Sequence, residues 1–493
     1  MTGTAPTTPT TLTSATTDSA PRGAGAVTDV PFRLRRLDLA SVAAGDLHAR
    51  TQRDALIRRG AVPEASVREA ARATLAAIRA GGDAAVRAAN TAVGGGRADG
   101  RLVLDAAELR DARDRLEPRI RRALDQAIGN VRRFAEPQRP HSTTVTVASG
   151  IEIERRWAPL ARVGAYVPGG SAPYPSSLVM TVVPAQVAGV GEIVVASPAD
   201  RDGRTNAILL GAAGLLEVDA FVVAGGAQAI GALAYGLPES ALAPVDRIVG
   251  PGNAWVTAAK IEVCGEVGID LPAGPSEGMV LAAPSSGHDV PGDSGVPGDS
   301  GGSGDSDVDP IRVAADLITQ AEHGPDSPAI LVTTDAAFAD AVEAAVATAL
   351  ADADRQVILG AALRDHGLIV LAPSLDAAVD FINAYGPEHL SVDVHPLEPT
   401  VARLRNAGSI FVGPWAPESA GDYATGANHV LPTGGLARGS GGLAVETYGK
   451  FVQVQRISRE GLAGIRETVG TLADAEGLTA HRKAVEIRFR DVP

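Results

Sequence analysis

The adjacent residues Glu388 and His389 are the most informative feature of this sequence, because both side chains can carry protons. They follow Gly386-Pro387, which ends a helical pattern over 375–385, so the pair is expected where a helix breaks and the chain turns. Such a position favours the edge of a cleft over a solvated helix face. Adjacent glutamate and histidine are also common on protein surfaces, and the pair alone leaves that alternative open.

A second pair of candidates lies at the end of a helical pattern over 311–322. Gln320 and His323 are three residues apart and therefore share a helix face. An amide oxygen and an imidazole nitrogen so placed could bind zinc. The alternative is a hydrogen-bonded histidine at a helix C-terminus, where the charged imidazole also suits the helix dipole.

Asp422 lies in a polar, glycine-containing stretch over 421–433 that shows no periodicity, so we predict a loop there. Its carboxylate is a candidate metal ligand, and loops on a rigid scaffold often carry function. An ordinary Asx turn is the alternative. Near the end of the sequence, Glu476 and His481 form a further candidate pair, although a histidine in a terminal segment is more often structural.

Glycine-bearing segments follow several strand-like runs, and they could admit a ligand close to the backbone. Three of them contain Tyr166, Gln228 and Asn253, and a fourth contains Ser276. Plain turns are the alternative for any one of these segments. None matches the G-x-G-x-x-G fingerprint, so the sequence does not support a standard Rossmann phosphate site.

The elements that must position these residues alternate between short β-branched runs and helical runs from about residue 150 onward. This alternation predicts an α/β fold with one largely parallel sheet or two in tandem, preceded by a helical region over 35–140. Active sites of such sheets lie at the carboxyl ends of the strands, so we expect the candidates there.

Two segments are not expected to belong to the fold. Residues 1–34 are rich in Thr, Ala, Ser and Pro and are predicted to be a disordered tail. Residues 284–310 carry a repeated Val-Pro-Gly-Asp-Ser-Gly unit without apolar periodicity and are predicted to be a flexible insertion.

Bulk composition excludes several classes of protein. The 493 residues carry a net charge of −14 with no unbroken basic run, so neither nucleic acid nor a membrane surface is an expected partner. The single cysteine allows no intramolecular disulfide, and residues 1–30 lack the features of a secretory signal. We therefore expect a cytoplasmic protein.

Taken together, the segments resemble the histidinol dehydrogenase family from about residue 35 to residue 490. The resemblance is carried by eight motifs in family order: Tyr166-Val-Pro-Gly-Gly-Ser-Ala-Pro, Gly225-Gly-Ala-Gln-Ala-Ile, Gly250-Pro-Gly-Asn, Ala273-Gly-Pro-Ser-Glu, Gln320-Ala-Glu-His-Gly, Gly386-Pro-Glu-His, Gly421-Asp-Tyr-Ala-Thr-Gly and Leu478-Thr-Ala-His.

The resemblance implies two tandem, incomplete Rossmann-like parallel-sheet halves with a helical N-terminal region and a small C-terminal extension. We predict a first α/β domain from 35–165 with 278–431, a second from 166–277, and a dimerisation segment at 432–493. A homodimer with shared active sites is implied, because His481 would complete the zinc site of the partner subunit.

The resemblance also implies the roles of the site residues. Gln320, His323 and Asp422 would bind one zinc ion per subunit together with His481 of the partner. Glu388 and His389 would be the catalytic proton-transfer groups. The four zinc ligands and the two proton-transfer groups would also contact substrate, as would Ser276 and Glu476. Tyr166, Gln228 and Asn253 would line the NAD site.

The implied reaction is a four-electron oxidation of L-histidinol through L-histidinaldehyde to L-histidine with two NAD, the last steps of histidine biosynthesis. Zinc would orient the substrate, His389 would take the alcohol proton, and Glu388 could activate the water that attacks the aldehyde. Two alternatives remain at this point, a zinc hydrolase and a zinc-binding regulatory protein without catalysis.

Overall fold

A computed structural model of the chain describes residues 32–169, 173–284 and 308–490. The predicted tail and the predicted insertion therefore lie almost entirely outside the described residues. Within those three ranges, no helix is both long and apolar enough to cross a membrane.

The strands of the described ranges, in chain order, are β1 (Arg35–Asp38), β2 (Val103–Asp105), β3 (Thr143–Ala148), β4 (Ile151–Pro159), β5 (Arg162–Tyr166), β6 (Glu192–Ser197), β7 (Ala220–Val223), β8 (Arg247–Val249), β9 (Gly268–Ile269), β10 (Gly278–Ala282), β11 (Ala329–Thr333), β12 (Gly367–Leu371), β13 (His389–Asp393), β14 (Ser409–Val412) and β15 (Gly449–Ile457).

The α-helices are α1 (Leu39–Ala44), α2 (Leu47–Ile57), α3 (Ala65–Val93), α4 (Ala106–Asp114), α5 (Pro118–Ala135), α6 (Pro175–Ala188), α7 (Ala207–Leu215), α8 (Gly226–Tyr235), α9 (Ala254–Val263), α10 (Pro310–Ala321), α11 (Ala336–Ala351), α12 (Gln356–His366), α13 (Leu375–Tyr385), α14 (Leu397–Val401), α15 (Glu418–Tyr423), α16 (Arg459–Ala475) and α17 (Thr479–Glu486). Short 3₁₀ turns lie at Glu136–Gln138, Leu436–Arg438, Val445–Tyr448 and Ile487–Phe489.

The first sheet has six parallel strands in the order β1-β12-β11-β10-β13-β14. Its central strands are continuous apolar runs, and β10 and β11 are buried along their whole length. Such runs are typical of parallel strands that are covered by helices on both faces.

The second sheet has the order β2-β7-β6-β5-β8-β9. Its strands are parallel except for β2, which pairs antiparallel with β7 at one edge. Two parallel sheets with helices between their strands confirm the predicted α/β class with two sheet halves.

A third, three-stranded antiparallel sheet has the order β15-β4-β3, and the sequence analysis did not predict it. Its strands β4 and β15 pair along nine residues each. The C-terminal helices α16 and α17 pack chiefly against each other, and α16 reaches this sheet where Ser458 N donates to Gly150 O over 2.8 Å.

Helices α3, α4 and α5 of the N-terminal region contact helices that cover the second sheet, whereas α1 and α2 contact strands β12 and β1 of the first sheet. Helix α3 contacts α8 and α9, α4 contacts α7, and α5 contacts α6. The predicted domain boundaries themselves stay predictions.

The helical patterns predicted over 311–322 and 375–385 match α10 and α13 within one residue. Within α3, Gly82 has φ +49° and ψ −131°, which is not helical. The prediction of a purely helical region at 35–140 was wrong in one respect, because it missed the short strands β1 and β2.

Candidate active site

One large cleft, about 1430 Å³ in volume, is lined by residues from both parallel sheets. On one side it is lined by the segments that follow the carboxyl ends of β5, β7 and β8. On the other side it is lined by Ser276, Glu388 and His389, which lie at the amino ends of β10 and β13. The expectation that all candidates lie at carboxyl ends was therefore wrong for the first sheet.

The acid–base pair is positioned by the end of helix α13 and the start of strand β13. Gly386 ends α13 with φ +64°, and His389 is the first residue of β13, in register with Gly278 of β10. Glu388 and His389 are 6% and 3% exposed, so the pair lies at the base of the cleft rather than on a solvated surface.

Burial moves the two pKa values of this pair in opposite directions. The pKa of Glu388 is raised to about 8, because burial penalises its carboxylate more than hydrogen bonds from the Glu277 amide and Ser276 stabilise it. The pKa of His389 is lowered to about 4, again mainly by burial, although Asp422 opposes that shift. At neutral pH the imidazole of His389 is thus neutral and able to accept a proton.

The imidazole of His389 is surrounded by carboxylates but hydrogen-bonded to none. Its Nδ1 lies 3.7 Å from both Glu388 Oε2 and Glu418 Oε1, and its Nε2 lies 4.0 Å from Asp422 Oδ1. Neither ring nitrogen has a hydrogen-bond partner among the described residues. Buried polar atoms without partners are rare and point to a ligand that completes the site.

His323, Glu418 and Asp422 form a compact group of potential metal ligands. His323 Nε2 lies 3.4 Å from Glu418 Oε1 and 3.8 Å from Asp422 Oδ2, and the three ligand atoms lie within 4.8 Å of one another. Burial alone would lower the pKa of His323, but the carboxylates of Glu418 and Asp422 reverse that effect and raise it. The group therefore attracts positive charge.

Asp422 lies in the short helix α15, so the prediction of a loop beginning at residue 421 was wrong at its start. Glu418 and Asp422 are four residues apart on that helix, and both are buried. The sequence analysis missed Glu418, although the four-residue spacing of two carboxylates on one helix face would have indicated it. Within the stretch 421–433, His429 Nδ1 lies 2.9 Å from the carbonyl oxygen of Asp422, at hydrogen-bond distance.

Gln320 and Ser276 connect this group to the acid–base pair. Gln320 Nε2 lies 3.4 Å from Ser276 Oγ, and Ser276 in turn binds the carboxyl of Glu388. Gln320 is 1% exposed, and its Oε1 has no hydrogen-bond partner among the described residues. Gly278 admits this side chain, since a Cβ there would lie 2.5 Å from Gln320 Cγ.

The residues present fit a divalent cation. Bonds of about 2.0–2.2 Å at tetrahedral angles place neighbouring ligand atoms about 3.3–3.6 Å apart, close to the observed separations around His323. Imidazole, carboxylate and an amide oxygen without a partner are suitable donors for zinc. The Oε1 atoms of Gln320 and Glu418 both lack a hydrogen-bond partner among the described residues, as expected of atoms that would face a cation.

A buried ion pair positions the backbone under the acid–base pair. The Arg59 guanidinium binds both carboxylate oxygens of Glu277 at 2.8 and 2.5 Å, and it also donates to Tyr385 O at 2.8 Å. The backbone of Glu277 then binds the catalytic candidates directly: its N–H donates to Glu388 Oε2 at 2.8 Å, and its carbonyl accepts from His389 N at 3.0 Å.

Replacing Arg59 with methionine is expected to destabilise the fold by about 3 kcal/mol, because it leaves the buried carboxylate of Glu277 without its partner. Chemical denaturation of the variant would measure the loss. The control is Arg58→Met, which removes a neighbouring exposed arginine and should change stability by less than about 0.5 kcal/mol. Equal effects of the two substitutions would contradict the role assigned to the Arg59–Glu277 pair.

The other side of the cleft contains the residues expected at an NAD site, and all three line the cleft. Tyr166 ends β5, and burial raises the pKa of its phenol to about 12. Gln228 lies in the first turn of α8, with Nε2 3.4 Å from Asn90 Oδ1. Asn253 caps α9, and its Oδ1 accepts from the amides of Trp255 and Val256.

This side fits a dinucleotide for two reasons. Helices α8 and α9 begin at the cleft, and α8 has no side-chain cap, so its first N–H groups and its dipole are available to a phosphate group. The glycines there are required sterically, since a Cβ at Gly225 would lie 2.9 Å from Pro198 Cβ. Gly225 and Gly226 also line the cleft, so a ligand there can approach their backbone closely.

Two predicted site residues are not brought to the cleft of their own subunit. Glu476 follows α16 and His481 lies in α17, and both are exposed and outside the cleft lining. A contribution from a partner subunit would require this position outside their own cleft.

The fold and the cleft define a class of protein: an α/β enzyme with a buried acid–base pair, a metal-ligand group and a dinucleotide-sized cleft. The family model "Histidinol dehydrogenase" matches residues 57–290 and 303–489. The chain therefore belongs to the histidinol dehydrogenase family, whose members are oxidoreductases acting on histidinol.

Curated relatives and a solved structure agree with this assignment. The chain is 43% identical to a histidinol dehydrogenase of Leifsonia xyli over 90% of its length and 97% of that protein. It is 42% identical to one of Nocardia farcinica, over 92% and 98% of the two chains. The crystal structure of histidinol dehydrogenase from Elizabethkingia anophelis matches with a TM-score of 0.79 and 30% identity, covering 92% of this chain and 98% of that one.

Proposed function

We propose that the chain catalyses the zinc-dependent oxidation of L-histidinol through L-histidinaldehyde to L-histidine, with two NAD as hydride acceptors. The observation that carries the proposal is the neutral imidazole of His389, which has no hydrogen-bond partner among the described residues and lies beside a metal-ligand group in the same cleft as two helix N-termini. A dehydrogenase acting on an alcohol needs such a base next to a group that orients the substrate.

Gln320, His323 and Asp422 would hold the zinc ion together with His481 of the partner subunit. When bound, the metal would orient the amine and imidazole of histidinol. Ser276 and Glu388 would contact the substrate from the floor of the cleft, and Glu476 of the partner subunit would contact it from the open side. Glu418 belongs to the same group of ligand atoms and would add negative charge beside the cation.

His389 would accept the hydroxyl proton while NAD, when bound, accepts the hydride. Burial favours this role, because it keeps the imidazole neutral far below neutral pH. Glu388 would assist addition of water to the aldehyde. A carboxyl group with a pKa near 8 gains and loses protons easily near neutral pH, which suits a group that must alternate between acid and base.

Exposed apolar side chains support a homodimer that shares its active sites. Leu472, Leu478 and Ile487 of the C-terminal helices are 58%, 43% and 57% exposed, and Val145 and Val147 of β3 are 59% and 62% exposed. Apolar surface of this extent commonly marks a protein–protein interface. A partner covering the C-terminal helices would place His481 at the neighbouring cleft.

The cytoplasmic location also stays a prediction.

The test is an assay of the purified protein with L-histidinol and NAD. We expect about two reduced nicotinamides per histidinol, loss of turnover after chelation, and recovery with zinc. The control is chelation followed by magnesium, which prefers oxygen ligands and should not restore turnover. Conversion of substrate without reduced nicotinamide would instead indicate a zinc hydrolase.

A further inference from the structure

A buried ion pair lies at the nicotinamide-cofactor side of the cleft, which its aspartate, Asp270, helps to line, and the proposed chemistry does not use it. Lys260 of α9 and Asp270, which follows β9, have side chains only 2% and 7% exposed. The Lys260 ammonium contacts Asp270 Oδ1 directly. Lysine and aspartate are seldom buried this completely unless they are paired.

Together the two side chains bind both backbone polar groups of Gly250. Asp270 Oδ2 accepts from Gly250 N at 2.7 Å, and Lys260 Nζ donates to Gly250 O at 3.0 Å. Lys260 also donates to Leu271 O at 3.1 Å, so its ammonium binds two backbone carbonyls besides its ion pair with Asp270. The ion pair therefore holds the backbone at one residue, Gly250.

Gly250 needs such support because its conformation leaves little room for adjustment. Its φ is +109°, and a Cβ at this position would lie 2.1 Å from Tyr166 O. Gly250 begins the segment 250–253, which lines the cleft and ends at Asn253, the residue that caps α9. A shift of Gly250 would thus move the cap and the first turn of α9 together.

Stability alone does not explain the pair, because a buried ion pair is often no better for stability than apolar residues of similar volume. We propose that Lys260 and Asp270 are positioning residues that hold the segment 250–253 in the conformation that receives the dinucleotide. This inference rests on the proposed NAD-dependent function. Neither side chain takes part in proton or hydride transfer.

The experiment measures NAD affinity of the zinc-loaded protein by calorimetry and the KM values for NAD and histidinol by turnover. We expect Lys260→Met and Asp270→Asn each to raise the Kd and KM for NAD about tenfold, equivalent to about 1.4 kcal/mol. The KM for histidinol and the zinc content should not change. Asp270→Asn keeps the side-chain volume, so this variant still tests the inference if Lys260→Met does not fold.

The matched control is Glu262→Gln. Glu262 lies on α9, as Lys260 does, and its ion pair is with the exposed Arg72. This variant should leave the Kd for NAD unchanged. A lower melting temperature with an unchanged Kd for NAD in both variants would overturn the inference, as would an equal rise in both KM values. Failure of the unaltered protein to bind NAD would instead count against the proposed function.

Discussion

Replacing His389 with asparagine is expected to slow turnover by about two to four orders of magnitude, the usual contribution of general acid–base catalysis. Asparagine keeps a polar side chain of similar reach but cannot accept the hydroxyl proton. Because the imidazole makes no hydrogen bond to its neighbours, the substitution should leave the fold intact. Turnover would be followed as reduced nicotinamide, with zinc content and melting temperature measured on the same preparation.

The matched control for this variant is His48→Asn, which alters an exposed histidine of α2 outside the cleft. It should retain full activity. Near-normal turnover in His389→Asn would exclude His389 as the base. A variant that loses zinc together with activity would instead indicate that the residue acts on the metal site.

The second large effect is expected from a mixed dimer. Asp422→Asn and His481→Asn should each abolish activity in the homodimer, because each removes one ligand from both shared sites. A mixed dimer that pairs the two variants has one site with both changes and one site with none. Random mixing should therefore restore about a quarter of the normal activity, since about half of the dimers are mixed and each has one intact site.

The measurement is turnover after the two inactive variants are unfolded together and refolded, or co-expressed with different tags. The control is the same procedure with Asp422→Asn and Gln320→Asn, whose changes fall in the same subunit's share of the site and should not complement each other. Activity in an isolated monomer, or no recovery in the mixed dimer, would contradict shared active sites.

Much of the fold could be predicted from local patterns. Runs such as Gly278–Ala282 and Leu375–Tyr385 carry their secondary structure in their own periodicity, and Gly386 marks the helix end through its left-handed backbone. In the antiparallel sheet, β3 and β4 form a local hairpin that was overlooked, whereas β15 pairs with a strand about 300 residues earlier. Pairing at that separation leaves no local signal.

The site was predictable in part. His323 and Asp422 were recognised as candidates, and the structure brings them together with Glu418. Glu418 was missed because the predicted loop began at residue 421, which separated Asp422 from the helical turn that contains Glu418. Arg59 was also missed. It is about 220 residues from Glu277, and nothing in the neighbouring sequence shows that the two are joined.

The sequence by itself determined the class of fold, the family and the residues able to carry protons or bind a metal, because these depend on residue type, short-range spacing and ordered motifs. Only the tertiary structure decided that the cleft joins the carboxyl edge of one sheet to the amino edge of the other. It also decided that His389 is neutral and Glu388 a weak acid, because the shifts of both pKa values arise from burial by distant segments of the chain.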